Sequence, residues 1–325
     1  MAGKTNRIFV SRSGFTLVEL LVVLVLIIIL SGMTVVVVRT AIGSGKASAV
    51  QMQLHQLSIA LDSYKTKFGE YPPDFSDPVA VMKHVKKRWP RSDYGTDVAA
   101  FNTFCNDIAA YFNNPVGTLT GTKWNFHLPK TADAAGVTQS CAAHTAALVF
   151  WLAGLPNSEG KLIGFSLDPK NPISGDMSQR EEPLFKFPDD SIHYKDYTFT
   201  DANNVERVGK IPSFFINEAP VVFFTATNNT ENLGTYAHPK RTTVTKYYSF
   251  DDGFGLAVPY GKSSGSWYEQ ERFQLIHPGV DGLFSAPGAT AANIRVADTQ
   301  ANLTIEDADN ITSFSKGTTL SSEYK

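Results

Sequence analysis

The sequence predicts an α+β protein in which one long N-terminal helix precedes a large globular head with an antiparallel sheet. Three observations support this fold class. An unbroken apolar run fills residues 15–38, and apolar side chains at helical spacing follow over 39–69. Aromatic and β-branched runs between turn residues dominate 211–325. Strands that follow a single dominant helix favour an α+β architecture over alternating βα units.

The composition fits one large head beside one apolar segment. Of the 325 residues, 43% are hydrophobic and 18% are charged, and the formal net charge is −2. A spanning helix needs roughly 20 apolar residues, and only 15–38 is long enough. Proteins that bind nucleic acids carry a basic footprint, which is not visible in this sequence, so we expect no nucleic-acid partner.

The N-terminal segment "RSGFTLVELLVVLVLIIIL" has a single acid, Glu19, inside its apolar run. Lys4, Arg7 and Arg12 precede the run, which predicts a cytoplasmic N-terminus and an exported remainder. A cleavable secretory signal is one interpretation, but its apolar stretch would be shorter. A plain signal anchor is another, but it leaves unexplained a carboxylate that costs about 2.5–3.5 kcal/mol or more in a membrane.

A third interpretation explains the carboxylate. The stretch "SGFTLVELLVVLVLIIIL" resembles the class III signal of type IV prepilins and type II secretion pseudopilins. The resemblance implies that a prepilin peptidase removes the leader 1–14 by cutting after Gly14 and that Phe15 is then N-methylated. It also implies that Glu19 acts in assembly by meeting the Phe15 ammonium of a neighbouring subunit. Unlike many pilins, this run has no proline.

The same resemblance implies a location and partners. We expect a bacterial inner-membrane protein with a single pass at 15–38 and a periplasmic head at 70–325, which filament assembly can extract from the membrane. The expected partners are the prepilin peptidase and methyltransferase, the inner membrane, and other pseudopilin subunits in a homo- or hetero-oligomeric filament.

The second half of the long helix is amphipathic. Its apolar positions follow a 3.6-residue period, and they are Val50, Leu54, Leu57, Leu61, Tyr64 and Phe68. Gly69 and the pair Pro72-Pro73 predict its end. The phrase "LSIALDSYKTKFGEYPPD" resembles the point where the spine helix of secretion pseudopilins enters the head.

Residues 74–210 read as an insertion into a smaller pilin-like head. "DPVAVMKHVKKRWP" predicts a short helix with a solvated basic face, and "CAAHTAALVFWLAGLP" predicts a buried core helix. Two alternatives stay open for Cys105 and Cys141. They form a disulfide, as exported chains allow, or they are two buried thiols.

An acidic region near the C-terminus is the one candidate ligand site. "FQLIHPGVDGLFS" and "EDADNITSFSKGT" resemble the loop that holds calcium in major pseudopilins. The resemblance points to Asp281 and to Asp307 or Asp309 as ligands, and calcium favours such oxygen-rich loops. The competing interpretation is a turn aspartate at 281 and a helix N-cap at 307 or 309.

These observations predict a non-enzymatic pseudopilin subunit of a periplasmic filament in a type II secretion-like system. No zinc-binding HExxH motif or phosphate-binding glycine loop occurs in the sequence. The alternatives are a type IV pilus subunit or minor tip adhesin and, more remotely, a membrane-anchored enzyme or binding protein.

Overall fold

A computed structural model provides the structure of the chain. It describes residues 14–75, 78–97, 99–101, 103–104, 107–108, 142–157, 161–173, 179–200, 206–226, 248–250, 254–286 and 295–324. Within these ranges, the side chains of 32–40, 78, 142–145, 189, 194–200, 206–212 and 248–250 are not described. The chain divides into two compact units, Met1–Gly45 and Lys46–Lys325.

Helix α1 spans Leu17–Phe68 and ends where the sequence predicts. The amide of Gly69 donates to the Lys65 carbonyl at 2.7 Å, and Gly69 has a φ of +84°, which a glycine adopts at low cost. In the second unit the predicted apolar face is buried, because Val50, Leu54, Leu57, Leu61 and Tyr64 are at most 2% exposed. The helical period therefore predicted which face of α1 packs on the head.

Two shorter helices pack in the same unit. Helix α2 spans Pro78–Arg88 and helix α3 spans Ala142–Ala153. The described part of α3, residues 146–153, is entirely buried, which confirms the predicted core helix. The exit turn of α1 contacts α3 and the sheet, since Trp151 donates to the Pro73 carbonyl at 2.9 Å and Thr225 N–H donates to Asp74 at 2.9 Å.

The predicted solvated basic face of α2 is wrong in part. Lys83 and Lys87 are exposed, but Arg88 is buried, with only 3% of its side chain accessible. Its guanidinium pairs with Glu181 and stacks against aromatic rings. The rings lie 4.2–5.8 Å from it and belong to Tyr64, Phe68, Trp89, Trp151 and Phe165. Burial is possible because the charge has both a carboxylate and π faces around it.

The strands confirm the α+β class with antiparallel sheets. One sheet pairs β1 and β2 and then β3, over Ile192–Thr200, Glu206–Ile216 and Ala219–Pro220. A second has the order β10-β8-β4, over Ile311–Thr312, Phe273–His277 and Val222–Thr225. Strand structure thus begins at Ile192, before the predicted boundary at 211.

Two small strand pairs and four 3-10 helices also belong to the second unit. Strands β5 and β6 pair antiparallel, and β7 and β9 pair parallel, over Tyr248–Phe250, Gly255–Ala257, Tyr260–Gly261 and Arg295–Val296. The 3-10 helices lie at Asp189–Ser191, Ala297–Thr299, Ile305–Asp309 and Leu320–Glu323.

The β10-β8-β4 sheet is buried on both faces. Side chains of alternate residues along a strand point to opposite faces. Phe223, Phe273 and Leu275 belong to the core that also contains α1, α2 and α3. Val222, Phe224 and Ile276 belong to a second core with Tyr260 and Phe284. The register pairs Ile311 with His277, so the segment after β8 lies beside the segment before β10.

Candidate functional site

A reciprocal capping box closes the first turn of α1. The backbone N–H and the hydroxyl of Thr16 donate to Glu19 Oε2 at 3.1 and 3.0 Å. The Glu19 N–H donates back to Thr16 Oγ1 at 3.2 Å. This pattern satisfies amides that a helix start otherwise leaves without partners. Gly14 and Phe15 precede the helix and are exposed, so the predicted cleavage bond is accessible in this unit.

The apolar residues that follow are uncovered on every side of the helix. Each large apolar side chain from Leu17 to Leu30 is at least 46% exposed. Across the described residues, no helical stretch combines the length and the apolar character that crossing a bilayer requires. The predicted span 15–38 includes residues 32–38, whose side chains are not described.

The turn after β8 wraps around the carboxylate of Asp309. The backbone N–H groups of Val280 and Asp281 donate to Asp309 Oδ2 at 2.7 and 3.1 Å. Gly279 has a φ of +70°, and a Cβ at this position would lie 2.4 Å from the Asp309 carbonyl oxygen and 2.6 Å from Asp309 Oδ1. Only glycine allows so close an approach without a shift of the backbone. The structure thus places Asp281 and Asp309, two of the three candidate calcium ligands, close together.

Glu306, which is not among the ligands that the sequence predicts, lies close enough for its charge to act on Asp281. Partial desolvation and the nearby charges of Asp309 and Glu306 raise the pKa of Asp281 to about 6, although the Leu283 N–H bound to its carboxylate opposes the rise. Within the described residues, Glu306 Oε2 and Asp309 Oδ1 are buried oxygens without a hydrogen-bond partner. The motif "EDAD" places several acids next to one another in the sequence. Only the fold decides which of their side chains face the turn after β8 and which do not.

Asp307, the alternative calcium ligand, is instead part of a buried ion pair. Its Oδ1 accepts from Arg295 at 2.9 Å and from the Tyr260 hydroxyl at 2.6 Å. Its Oδ2 accepts the Thr304 N–H at 2.7 Å and the Thr304 hydroxyl at 2.9 Å, which forms a capping box at the 305–309 helix. Both carboxylate oxygens of Asp307 therefore already have partners within the protein. Burial, followed by the charge of Asp307, raises the pKa of Tyr260 well above its ordinary value.

The chemistry of the remaining acids fits a hard cation in part. Asp281, Glu306 and Asp309 offer carboxylate oxygens, two of which have no partner in the described structure. In the described part of the chain, no three His, Cys, Asp or Glu side chains are arranged to hold a metal ion as they stand. The loop would have to close further around a calcium ion, and backbone carbonyls or water would have to supply additional ligands.

The predicted disulfide falls outside the described residues. Neither Cys105 nor Cys141 belongs to the described ranges, so the choice between a disulfide and two thiols stays a prediction.

Comparison with known families finds one match, at the N-terminus. The family described as "Prokaryotic N-terminal methylation motif" matches residues 10–35, which include Gly14, Phe15, Thr16 and Glu19. No curated protein and no solved structure matched the chain in the corresponding searches. The motif implies processing by a prepilin peptidase, assembly with other pilin subunits and anchoring in the cell envelope. Residues 10–35 thus carry the class III signal that pseudopilins and type IV pilins share.

Proposed function

We propose that the chain is a pseudopilin, a structural subunit that assembles through its N-terminal helix into a periplasmic filament of a type II secretion-like system. The observation that carries this proposal is the methylation motif at residues 10–35. The exposed apolar side chains of 17–30 support it, because a continuous exposed apolar surface is typical of a segment that contacts lipid or other subunits.

The chemistry of assembly centres on one charge pair. Cleavage after Gly14 creates an α-ammonium on Phe15, and methylation keeps this group cationic. Glu19 of one subunit then meets the ammonium of a neighbour in surroundings of low dielectric constant. A pair there attracts strongly, whereas a single charge is strongly disfavoured. The pair therefore selects one axial stagger between subunits.

The membrane location follows from the same segment. The run 15–38 is proposed to span the inner membrane as a single pass before assembly. Lys4, Arg7 and Arg12 hold the N-terminus on the cytoplasmic side, which places the head at 70–325 in the periplasm.

The secretion system is proposed over the pilus because of two further resemblances in the head. The exit phrase "GEYPPD" and the acidic loop both resemble major pseudopilins. Surface labelling of intact cells separates the two possibilities, since a pilus subunit or tip adhesin would be labelled. A secretion pseudopilin at native expression would stay protected until the outer membrane is opened.

Mass spectrometry of the native N-terminus tests the central claim. We expect a chain that begins with N-methylated Phe15, and its loss in cells without the prepilin peptidase. An intact Met1, or a cut beyond Gly32, would refute the proposal.

We further propose that the acidic loop binds calcium through Asp281, Glu306 and Asp309, with Asp307 left in its ion pair. Bound calcium would neutralise neighbouring carboxylates and hold the turn after β8 against the 305–309 helix. The proposed role of the ion is structural.

Calorimetric titration of the full chain in detergent tests this site, with calcium and then magnesium as the titrant. We expect saturable calcium binding and a higher melting temperature, both lost in Asp309→Asn. The matched control is Glu182→Gln, which removes an exposed carboxylate that contacts only Lys186 in the described structure. Equal heats from Asp309→Asn and the native chain would exclude the site.

A further inference from the structure

A continuous chain of buried and half-buried hydrogen bonds joins the end of α1 to α2. Arg88 Nη1 donates to the Tyr64 hydroxyl oxygen at 2.9 Å, and Tyr64 Oη lies 2.6 Å from His84 Nε2. His84 Nδ1 lies 2.6 Å from Glu70 Oε1. Tyr64 is 0% exposed and His84 is 3% exposed, so water cannot replace a missing partner.

These contacts fix the position of every proton in the chain. A guanidinium only donates, so the Tyr64 oxygen accepts from Arg88 and its own hydrogen must go elsewhere. An ionised Glu70 only accepts, so His84 carries a proton on Nδ1. Neutral His84 then accepts the Tyr64 hydrogen at Nε2. Only one protonation state of His84 thus satisfies all four groups.

Titratable groups from each neighbouring element define the surroundings of His84. The end of α1 supplies the neutral Tyr64, the exit turn supplies Glu70, and α2 supplies Lys87 and Arg88. Arg88 is itself paired with Glu181. Helix α3 contributes the uncharged ring of Trp151, whose edge packs 4.9 Å from the imidazole. Lys87 pairs with Glu70 at 2.7 Å, so the carboxylate is already shared between two donors.

We propose that His84 is an acid-sensitive lock, which holds α2 against the end of α1 while the imidazole is neutral and releases it when a proton binds Nε2. The proton comes from solvent after a local opening. Nε2 then becomes a donor to an oxygen that already accepts from Arg88. The Tyr64 hydrogen is left without an acceptor in a buried site, and a second cation stands beside Arg88.

The direction in which stability changes with pH follows from the burial of His84 as well as from its hydrogen bonds. Burial lowers the pKa of His84, and the Glu70 carboxylate only partly opposes this effect. Neutral His84 therefore contributes stability that is fully present above the ordinary histidine pKa and is lost as the pH falls. An acidified compartment would loosen α2 before the rest of the head.

Hydrogen exchange of the full chain in detergent, read by mass spectrometry, tests the lock. Rates at about pH 7.5 and about pH 5 are compared after correction for intrinsic exchange. We expect peptides of α2 to become about tenfold less protected at the lower pH. In His84→Gln this difference should disappear, while the matched control His55→Gln, at an exposed position on α1, should keep it.

A second variant decides the outcome if His84→Gln fails to fold. Tyr64→Phe removes the hydrogen that protonation leaves without an acceptor, so its α2 peptides should respond less to acid than those of the native chain. Equal protection of α2 at both pH values in the native chain would overturn the lock. An undiminished acid response in either variant would do the same.

Discussion

Asp307 shows how single residues balance a charge that the fold has removed from water. It is 0% exposed, and Arg295, which is 2% exposed, provides the compensating cation. Tyr260 and Thr304 satisfy its remaining lone pairs, and Asn310 donates to the Tyr260 hydroxyl at 2.8 Å. Every member of this group depends on another, so removal of one leaves a buried polar atom unsatisfied.

Arg295→Met should therefore destabilise the head by about 3–5 kcal/mol, because it leaves the Asp307 carboxylate buried without its cation. Urea denaturation of the purified chain in detergent measures the change. The control Lys186→Ala breaks only an exposed pair with Glu182 and should change stability by no more than about 0.5 kcal/mol. Similar midpoints for the two variants would contradict the structural role of the buried pair.

Glu19 is the residue at which the proposed assembly can be tested most directly. Glu19→Gln keeps an acceptor for Thr16 but removes the charge, so the variant should be cleaved yet enter filaments about tenfold less often. Thr16→Val keeps the charge and removes the two capping bonds made by the Thr16 hydroxyl, and it should assemble better than Glu19→Gln. Filament incorporation is measured by cross-linking of membrane and sheared fractions. Normal assembly of Glu19→Gln would rule out the charge pair.

The sequence predicted some of these residues and not others, for a physical reason. Gly14, Phe15 and Glu19 lie within one short motif, so local spacing identifies them. The partners of Asp307 come from separate segments, and nothing near Arg295 or Tyr260 marks them as contacts. Arg88 was likewise expected in solvent, because its partner Glu181 is far away in sequence. Whether a charged side chain is buried depends on partners that are distant in the sequence, and the local sequence pattern does not identify those partners.

Among the elements, α1 displays two different surfaces in its second half. Leu57 is fully buried in the head, while Ile59, only two positions later, is 53% exposed. Met52 is 60% exposed on the same side as Ile59, since seven residues make nearly two helical turns. The buried face serves the fold of the head, and the exposed side chains of Met52 and Ile59 remain available for contacts outside it.

A matched pair of substitutions separates these surfaces. Leu57→Ala should lower the free energy of unfolding by about 2–5 kcal/mol, because it leaves a cavity in the core. Ile59→Ala should change it by less than about 1 kcal/mol and should instead reduce filament incorporation. Thermal unfolding and cross-linking are measured for both variants. If Ile59→Ala unfolds as readily as Leu57→Ala, the two faces are not functionally distinct.

Element types were easier to predict than their limits. The period of α1 and the aromatic runs of β4 and β8 are strong local signals, and the structure confirms them. Strand β1 was missed because the adjacent charged residues Lys195 and Asp196 interrupt the period-2 alternation of apolar side chains in "IHYKDYTFT". Its long antiparallel register with β2 makes it a strand, and pairing of this kind is a tertiary property.

For the whole molecule, buried histidine makes stability depend on pH. His277 is 1% exposed, its Nε2 contacts the Ile216 carbonyl at 2.9 Å and its Nδ1 accepts the Gly279 N–H at 3.2 Å. Burial lowers its pKa to about 4 from 6.5, with the Ile216 carbonyl opposing the shift. The unfolded chain thus binds the additional proton between these values, and stability rises with pH across that window.

Between pH 7 and pH 4, we expect the protonation of His277 alone to lower the free energy of unfolding by about 3 kcal/mol. Urea midpoints across this range measure it. Asp281, with its pKa raised to about 6 by desolvation and by neighbouring acids, has the opposite slope, because its folded form binds the extra proton. Asp281→Asn should therefore steepen the loss of stability in acid. A flat profile in that variant would show that His277 does not control the response.

The capping box at Thr16 and Glu19 has a consequence for the processed helix. The aligned peptide dipoles of α1 place about half a positive charge at its N-terminus, where the proposed cleavage adds a full one. These like charges repel and would fray the first turn of a processed subunit. Because Glu19 already sits over that turn, its negative charge offsets both the dipole and the new amine within the same chain. Leader removal can then leave the helix start intact until a neighbour arrives.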